Sequence, residues 1–165
     1  MSSDTPAPAN PHHVAEPPPP WAAALQGQVL VDRGPLLALF NSADGWHARV
    51  LAWLKAHPGM ALISTWPVLT EVCALLARRV HKQAALDFLL WVERGGLCVD
   101  APTEHSLPQM RRIAQRLANR SLDLADASIA EAAERLGLRQ ILSVDADVDV
   151  YRDARGRPLT NLLLA

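Results

Sequence analysis

Four acidic residues fall at positions where carboxylates from different parts of a fold can meet. Asp32 and Asp145 each directly follow a short apolar run that is typical of a buried strand. Glu71 and Asp126 lie near the starts of two segments with helical periodicity. Ligands of open α/β sheets bind outside the carboxyl ends of the strands, and neighbouring strands lie about 4.8 Å apart. We therefore expect the four carboxylates to converge in one pocket.

Such a pocket implies a bound cation. Two carboxylates about 5 Å apart repel each other by roughly 3 kcal/mol at an effective dielectric constant of about 20. Because the candidate ligands are all oxygens, with no histidine or cysteine among them, Mg²⁺ or Mn²⁺ is favoured over zinc. These ions can deprotonate a water and stabilise a transferring phosphoryl group. The acidic pattern is therefore suited to phosphoryl chemistry.

Each acid taken alone also has a purely structural interpretation. Asp32 is placed to start a turn. Asp123 and Asp126 are spaced as a helix N-cap with an acid at the third helical position. Glu71 is within reach of the arginines at 78–79 on the same predicted helix. Only the joint placement of the acids favours the functional interpretation.

Two other motifs at the end of the chain are excluded. The run DADVD at 145–149 is similar to the first half of an EF-hand loop, but Val150 stands where glycine is needed and Gly156 where glutamate is needed. The same run is similar to the DxD of aspartyl-phosphate phosphatases, but that motif ends a first strand and only sixteen residues follow here. The sequence also has no P-loop and no GxGxxG.

The elements that position the acids alternate between short apolar runs and longer helical segments. Strands are predicted at 28–32, 60–64, 97–100 and 139–145, with a short edge strand at 162–164. Helices are predicted at 35–40, 44–57, 67–80, 83–94, 103–118 and 124–136. Asp44 is the expected N-cap of the second helix. This order predicts an α/β fold with a mostly parallel central sheet of four to five strands.

The chain of 165 residues predicts a single folded domain preceded by an arm. Seven of the thirteen prolines lie within the first twenty residues, which predicts a disordered, proline-rich arm over 1–27 and a domain over 28–165. A formal net charge of -1 does not by itself indicate a nucleic-acid protein. An aromatic content of 5% excludes a Tyr- or Phe-rich stacking platform.

Composition and the first residues also predict the cellular compartment of the protein. No apolar run reaches the roughly 18 residues that a membrane span needs, and the start of the chain lacks the basic residues of a signal peptide. Cys73 and Cys98 form no CxxC and lie in apolar stretches, so we expect them to be reduced core residues. The prediction is a cytoplasmic protein with no membrane association.

Four segments of the sequence resemble the successive motifs of PIN domains, and most closely those of VapC-type toxins of bacterial toxin-antitoxin pairs. They are VLVDRGPLLALF at 29–40, TWPVLTE at 65–71, LDLADASIA at 122–130 and ILSVDADVDVYR at 141–152. The resemblance spans 28–152 with the motifs in order. It implies a three-layer α/β/α sandwich that hydrolyses RNA phosphodiester bonds with Mg²⁺ or Mn²⁺, usually as a homodimer held inactive by a cognate antitoxin.

The resemblance also implies roles for individual residues. The acidic metal and catalytic site matches Asp32, Glu71, Asp126 and Asp145. Asp147 matches a nearby, less constant metal-binding acid, while Asp123 and Ser143 match supporting positions, with Ser143 replacing the commoner threonine.

Several basic and apolar side chains complete the prediction. Arg33 stands where PIN domains usually carry a small Thr or Ser, so it either contacts a phosphate of the substrate or partly neutralises Asp32 and weakens metal binding. The second outcome would make the chain a catalytically silent PIN-like module that binds RNA or protein. Further phosphate contacts are expected from Arg152, Arg155 and Arg157. An apolar surface on the early helices is proposed to receive the antitoxin, although core packing explains most of its residues equally well. These residues are Leu36, Leu37, Trp46, Val50 and Trp53.

Overall fold

Five short parallel strands form the centre of the protein. The computed structural model describes residues 27–116, 124–145, 152 and 156–165, so that the proline-rich arm predicted at 1–27 lies outside the described residues except for Gly27. The strands are β1 (Gln28–Val31), β2 (Ala61–Thr65), β3 (Cys98–Asp100), β4 (Gln140–Leu142) and β5 (Thr160–Asn161). Their order across the sheet is β3-β2-β1-β4-β5, and each neighbouring pair is parallel.

Six helices connect and cover these strands within the described part of the chain. They are α1 (Arg33–Leu39), α2 (His47–Ala56), α3 (Trp66–Arg79), α4 (Lys82–Glu93), α5 (Ser106–Arg116) and α6 (Leu124–Leu136). None of these helices is long and apolar enough to span a membrane. The predicted α/β fold with a parallel sheet is confirmed.

The core is aliphatic and centres on β1. Val29, Leu30 and Val31 are 2% exposed or less, as expected for the central strand of a parallel sheet that is covered on both faces. Helix α3 adds Val68, Val72 and other apolar residues at helical spacing to the same core, and it contacts α1, α4, α6, β2 and β3. The sheet is thereby held rigidly beneath the loops that follow its strands.

The N-terminus of α2 differs from its prediction. Asp44 does not cap the helix, because its Oδ1 accepts a hydrogen bond of 2.8 Å from the backbone N–H of Trp46 and thus closes a turn before the helix. The helix begins at His47 with Trp46 at the N-cap position and no side-chain cap bond.

Two predictions near the edges of the sheet are also corrected. The last strand covers Thr160–Asn161 instead of 162–164. Its pairing with β4 is made by the N–H groups of Thr160 and Leu162, which donate to the carbonyls of Arg139 and Ile141. Cys98 is exposed and Cys73 half-buried, so the expectation of two core cysteines was wrong. Cys98 begins β3, which is the opposite edge strand, and edge strands leave side chains open to solvent.

Helix α6 crosses the carboxyl ends of three neighbouring strands. Near its start, Asp126 acts electrostatically on Asp32 after β1. Ser128 Oγ lies 2.5 Å from the hydroxyl of Thr65 at the end of β2. Further along, Arg135 binds Asp100 at the end of β3. One helix therefore fixes the relative positions of three strand ends, and these strand ends surround the candidate site.

Candidate active site

Asp32 is the centre of the candidate site. It follows β1 directly and caps α1, with its Oδ1 accepting a 2.6 Å hydrogen bond from the backbone N–H of Arg33. Its own N–H donates to the carbonyl of Leu142 at 3.1 Å, which extends the pairing of β1 with β4 by one residue. Asp32 is only 7% exposed, so its carboxylate is held in one position at the carboxyl end of the sheet.

The environment of Asp32 opposes a negative charge there. Burial raises the pKa of its carboxyl group from 3.8 to about 6, against the lowering effect of the hydrogen bond from the Arg33 N–H. That value already includes the negative charge of Asp126, which also raises the pKa, and the Arg33 guanidinium and the Ser143 hydroxyl, which lower it. Without a cation, Asp32 and Asp126 thus disfavour each other's ionised form.

Ser143 supports Asp32 from the neighbouring strand. It is fully buried directly after β4, and its Oγ donates to Asp32 Oδ2 at 3.2 Å. The same Oγ accepts a 3.1 Å hydrogen bond from the backbone N–H of Asp145. The hydroxyl therefore connects the ends of β1 and β4, and the supporting role of Ser143 in the site stays a prediction.

The backbone of Ser143 is in turn held by the edge strand. The Asn161 side chain in β5 accepts from the Ser143 N–H at 3.2 Å and donates to its carbonyl at 3.0 Å. Asn161 Oδ1 also accepts from the N–H of Leu163. These bonds fix Ser143 after the regular pairing of β4 and β5 has ended. This role of Asn161 could not be predicted from the sequence, because a lone Asn in a short edge strand carries no recognisable signal.

Gly34 allows α1 to approach the end of β4. A Cβ atom at this position would lie 2.3 Å from Cγ2 of Val144, which is closer than real side chains pack. Because Gly34 follows Arg33 in the first turn of α1, the close approach keeps Asp32 beside Ser143. The glycine is therefore required by the geometry of the site.

Glu71 is joined to the site through Arg33. Its Oε1 accepts a 2.8 Å hydrogen bond from Arg33 Nη1, and the two side chains are 29% and 37% exposed. This pairing replaces the alternative in which Glu71 binds an arginine of its own helix. The other carboxylate oxygen, Oε2, is buried and has no hydrogen-bond partner among the described residues. Such an orphaned acceptor is costly unless a donor or a cation satisfies it.

The other predicted site residues are exposed or lie outside the described residues. Asp145 is exposed, and its backbone binds Ser143. Arg152 is exposed and donates from Nη1 to the carbonyl of Gly156 at 2.8 Å, so this guanidinium is held by its own loop. Arg157 is exposed as well. Three further candidates lie outside the described residues: Asp123, Asp147 and Arg155.

The residues present fit a hard divalent cation through their oxygen donors. Asp32 and Asp126 repel each other in its absence, and Glu71 Oε2 is a buried acceptor in need of a partner. In the described ranges, no three His, Cys, Asp or Glu side chains are grouped closely enough to form a complete metal site. The convergence of all four predicted carboxylates on one ion therefore stays a prediction, with Asp32 and Asp126 as its best supported members.

Comparison with known proteins identifies the family. The family model for the PIN domain matches residues 29–154. The chain belongs to the PIN-domain family. The resemblance predicted from the four motifs is thereby confirmed.

Individual relatives of this PIN domain are distant in sequence. Ribonuclease VapC26 from Mycobacterium tuberculosis (strain ATCC 25618 / H37Rv) is 27% identical over 117 residues, which cover 71% of this chain and 86% of the relative. The crystal structure of Mycobacterium tuberculosis VapC20, a toxin that cleaves the sarcin-ricin loop, superimposes with a TM-score of 0.67 at 22% identity and covers 72% of this chain and 91% of that one. FitAcB from Neisseria gonorrhoeae gives a TM-score of 0.47 at 19% identity over 71% and 87% of the two chains.

The surface proposed for the antitoxin has to be revised. Leu36 and Val50 are 2% and 3% exposed and belong to the hydrophobic core of the PIN domain. The other three residues, Leu37, Trp46 and Trp53, are only half-buried and pack against that core. The alternative interpretation, core packing, therefore applies to Leu36 and Val50, and these two residues are not available to bind an antitoxin.

A second buried polar cluster lies along α6. Glu131 is 4% exposed, and its Oε1 accepts from Arg135 Nε at 2.8 Å and from Ser106 Oγ at 3.0 Å. Arg135 also binds Asp100, and these hydrogen bonds raise the pKa of its guanidinium. The spacing of Glu131 and Arg135 is visible in the sequence, but Asp100 joins them only through the tertiary fold. The cluster fastens α6 to β3 and α5.

Proposed function

We propose that this PIN domain is a metal-dependent endoribonuclease and the toxin of a VapC-type toxin-antitoxin pair. The observation that carries the proposal is the buried Asp32 carboxylate, which faces the charge of Asp126 at the carboxyl end of the sheet. Two acids in this position destabilise the site unless a cation offsets them. The distant relationship to Ribonuclease VapC26 supports RNA as the substrate.

In such a reaction, some residues would hold the metal ion and others would orient its ligands. Asp32 and Asp126 would hold the ion, with Glu71, Asp145 and Asp147 as further oxygen donors. When bound, Mg²⁺ or Mn²⁺ supplies charge neutralisation at the phosphodiester and acidity to a water. Arg33 N–H and Ser143 Oγ orient the Asp32 carboxylate. The carboxylates bind and orient, and none of them is required to transfer a proton itself.

An RNA cleavage assay tests the proposal directly. Purified protein is incubated with structured bacterial RNA in Mg²⁺, in Mn²⁺ or in EDTA, beside Asp126→Asn and the control Glu104→Gln, which changes an exposed carboxylate before α5. We expect cleavage by the wild type and by Glu104→Gln in either ion, and no cleavage in EDTA or by Asp126→Asn. Equal cleavage in every lane, or none with any divalent ion, would contradict the proposal.

The partners follow from the same assignment. A toxin that cleaves cellular RNA would act in the cytoplasm and would be held inactive by a cognate antitoxin.

For the homodimer we propose the exposed face of α4 as the interface, where Leu86, Leu89 and Leu90 are 41–46% exposed at helical spacing. Light scattering after gel filtration should show a dimer for the wild type and a monomer for Leu90→Asp. A monomeric wild type would argue against this interface.

The second candidate function is a catalytically silent PIN-like module that binds RNA or protein. The Arg33–Glu71 ion pair favours it, because the guanidinium already occupies one carboxylate oxygen that a metal would use. Calorimetry with Mn²⁺ on the antitoxin-free protein separates the two candidates. Binding that Asp126→Asn abolishes supports the nuclease, whereas the absence of any Mn²⁺ binding supports the silent module.

A further inference from the structure

Trp66 is an exposed aromatic side chain at the rim of the candidate site. It is 53% exposed, whereas the other described tryptophans, Trp46, Trp53 and Trp91, are half-buried and pack against the core. Its exposure follows from its place on α3, because the buried positions of this helix, beginning with Val68 and Leu69, lie on a different face. An exposed indole offers a flat apolar face on which another ring can stack.

The register of the sheet places Trp66 close to Asp32. Strands β1 and β2 pair in parallel with Leu30 opposite Ile63, and Ser64 Oγ donates to the carbonyl of Val31. Continuing this register sets Asp32 level with Thr65. Since adjacent strands are about 4.8 Å apart and consecutive Cα atoms 3.8 Å apart, the Cα atoms of Trp66 and Asp32 are within roughly 9 Å of each other.

A small cavity places Trp66 beside α5 and α6. It is lined by Trp66 and Pro67 of α3, Met110 of α5, Ser128 and Glu131 of α6, and Asp100 and Pro102 at the end of β3, among others. Ser128 also binds Thr65, the residue before Trp66. Trp66 therefore borders α5 and the end of β3, and Asp32 follows the strand on the other side of β2.

The neighbouring helix α5 carries an excess of positive charge. Its sequence from Ser106 to Arg116 contains Arg111, Arg112 and Arg116 but no acid. Within the described ranges, none of these three arginines forms a hydrogen bond or an ion pair. An exposed indole next to a helix that carries three arginines and no acid suits a ligand that has both flat rings and phosphates. Single-stranded nucleic acid has this composition, and base stacking on an aromatic side chain tolerates any sequence.

We propose that Trp66 stacks on a nucleobase of the RNA next to the phosphodiester that is cleaved at Asp32 and Asp126. The inference rests on the proposed ribonuclease function and adds a substrate-binding residue to it. The indole holds an unpaired base, while the arginines of α5 contact the phosphates that follow along the strand. Trp66 thus favours RNA whose bases are unstacked at the cleavage site, such as a loop or a single strand.

The test separates contacts to bases from contacts to phosphates. Two fluorescein-labelled 12-nucleotide RNAs are used, one of random sequence and one of equal length with abasic sites throughout. Binding is measured by anisotropy in Mg²⁺, with the Asp126→Asn chain as the reference protein so that the RNA stays intact. Adding Trp66→Ala should weaken binding of the random RNA about tenfold and leave binding of the abasic RNA unchanged.

Two further variants control for indirect effects. Trp66→Phe keeps an aromatic face and should restore most of the binding, and Leu136→Ala removes another exposed apolar side chain at the far end of α6 and should change nothing. Equal loss on both RNAs, no loss on either, or failure of the reference protein to bind the random RNA would overturn the inference. A change that affects only self-association would assign Trp66 to a protein interface instead and would likewise overturn it.

The result is independent of the cleavage assay. Base-dependent binding through Trp66 in a protein that cleaves no RNA would retain the stacking role and reject the nuclease. Metal-dependent cleavage that Trp66→Ala leaves unchanged, together with unchanged binding, would retain the nuclease and reject the stacking role.

Discussion

The guanidinium of Arg33 and the carboxylate of Glu71 are joined by a hydrogen bond of 2.8 Å that connects the first turn of α1 to α3. The pair brings a positive charge to the edge of an acidic site and leaves Glu71 Oε2 buried without a partner among the described residues. Arg33 also lowers the pKa of Asp32. The same side chain therefore stabilises the metal-free site and competes with a cation for it.

Removing Arg33 should strengthen metal binding. In Arg33→Ala the backbone N–H that binds Asp32 is retained, but the competing positive charge is lost. We expect the dissociation constant for Mn²⁺ to fall about fivefold, equivalent to about 1 kcal/mol, a small value because both side chains are partly exposed. Calorimetry measures this change. Arg79→Ala, which removes an exposed arginine at the end of α3, is the matched control and should leave the constant unchanged.

The buried Asp32 should make the metal-free protein less stable as the pH rises. Its carboxyl group has a pKa of about 6 in the folded state and 3.8 as the unperturbed value. Between these two values the unfolded chain loses the proton first, so the folded state is penalised increasingly from about pH 4 to above pH 6. Asp32→Asn, which keeps the N-cap oxygen, should raise the free energy of unfolding at pH 7.5 by about 3 kcal/mol and change it little at pH 4.

Urea unfolding in EDTA at the two pH values measures this difference. With Mn²⁺ at pH 7.5 the order should reverse, since only the wild-type carboxylate gains stability from the ion. A stabilisation of Asp32→Asn that is the same at both pH values would contradict the assignment.

Ser143 should contribute to both stability and activity. Ser143→Ala removes the hydroxyl that donates to Asp32 and accepts from the N–H of Asp145, leaving a buried carboxylate oxygen without its donor. We expect a loss of about 2 kcal/mol in the free energy of unfolding, together with slower RNA cleavage.

The matched control for this prediction is Ser64→Ala. Ser64 is equally buried, but its hydroxyl donates to the backbone carbonyl of Val31 and not to a carboxylate. It should cost about 1 kcal/mol of stability and leave the cleavage rate at 25 °C unchanged. If both variants lost activity to the same extent, Ser143 would have no specific role in the site.

The cluster on α6 should be essential for stability. Arg135→Ala leaves the buried Glu131 and its neighbour Asp100 without their cation, which costs about 3 kcal/mol because an uncompensated charge stays in a poorly solvated place. Glu131→Gln combined with Arg135→Met should recover part of this loss. Thermal unfolding measures both, and a melting temperature of Arg135→Ala close to that of Arg79→Ala would show that the cluster contributes little.

The order of secondary structure elements could be predicted because it depends on local patterns. The bounds of α6 and the place of Pro67 at the start of α3 agree with the sequence to the residue. Asp44 shows the limit of this approach, since a carboxylate shortly before a helix can close a turn as well as cap the helix. Only the packed backbone, in which the helix begins three residues later at His47, selects the turn.

The sequence by itself determined the parallel α/β fold, the family and the place of Asp32 at the end of a strand, because periodicity and motif order are properties of the chain. Only the tertiary structure decided that Glu71 pairs with Arg33, that Asn161 holds Ser143 and that Trp66 is exposed next to α5 and α6. Each of these relationships joins residues from elements far apart in sequence. Their distances depend on strand order and helix packing, and charge, burial and hydrogen bonding follow from those distances.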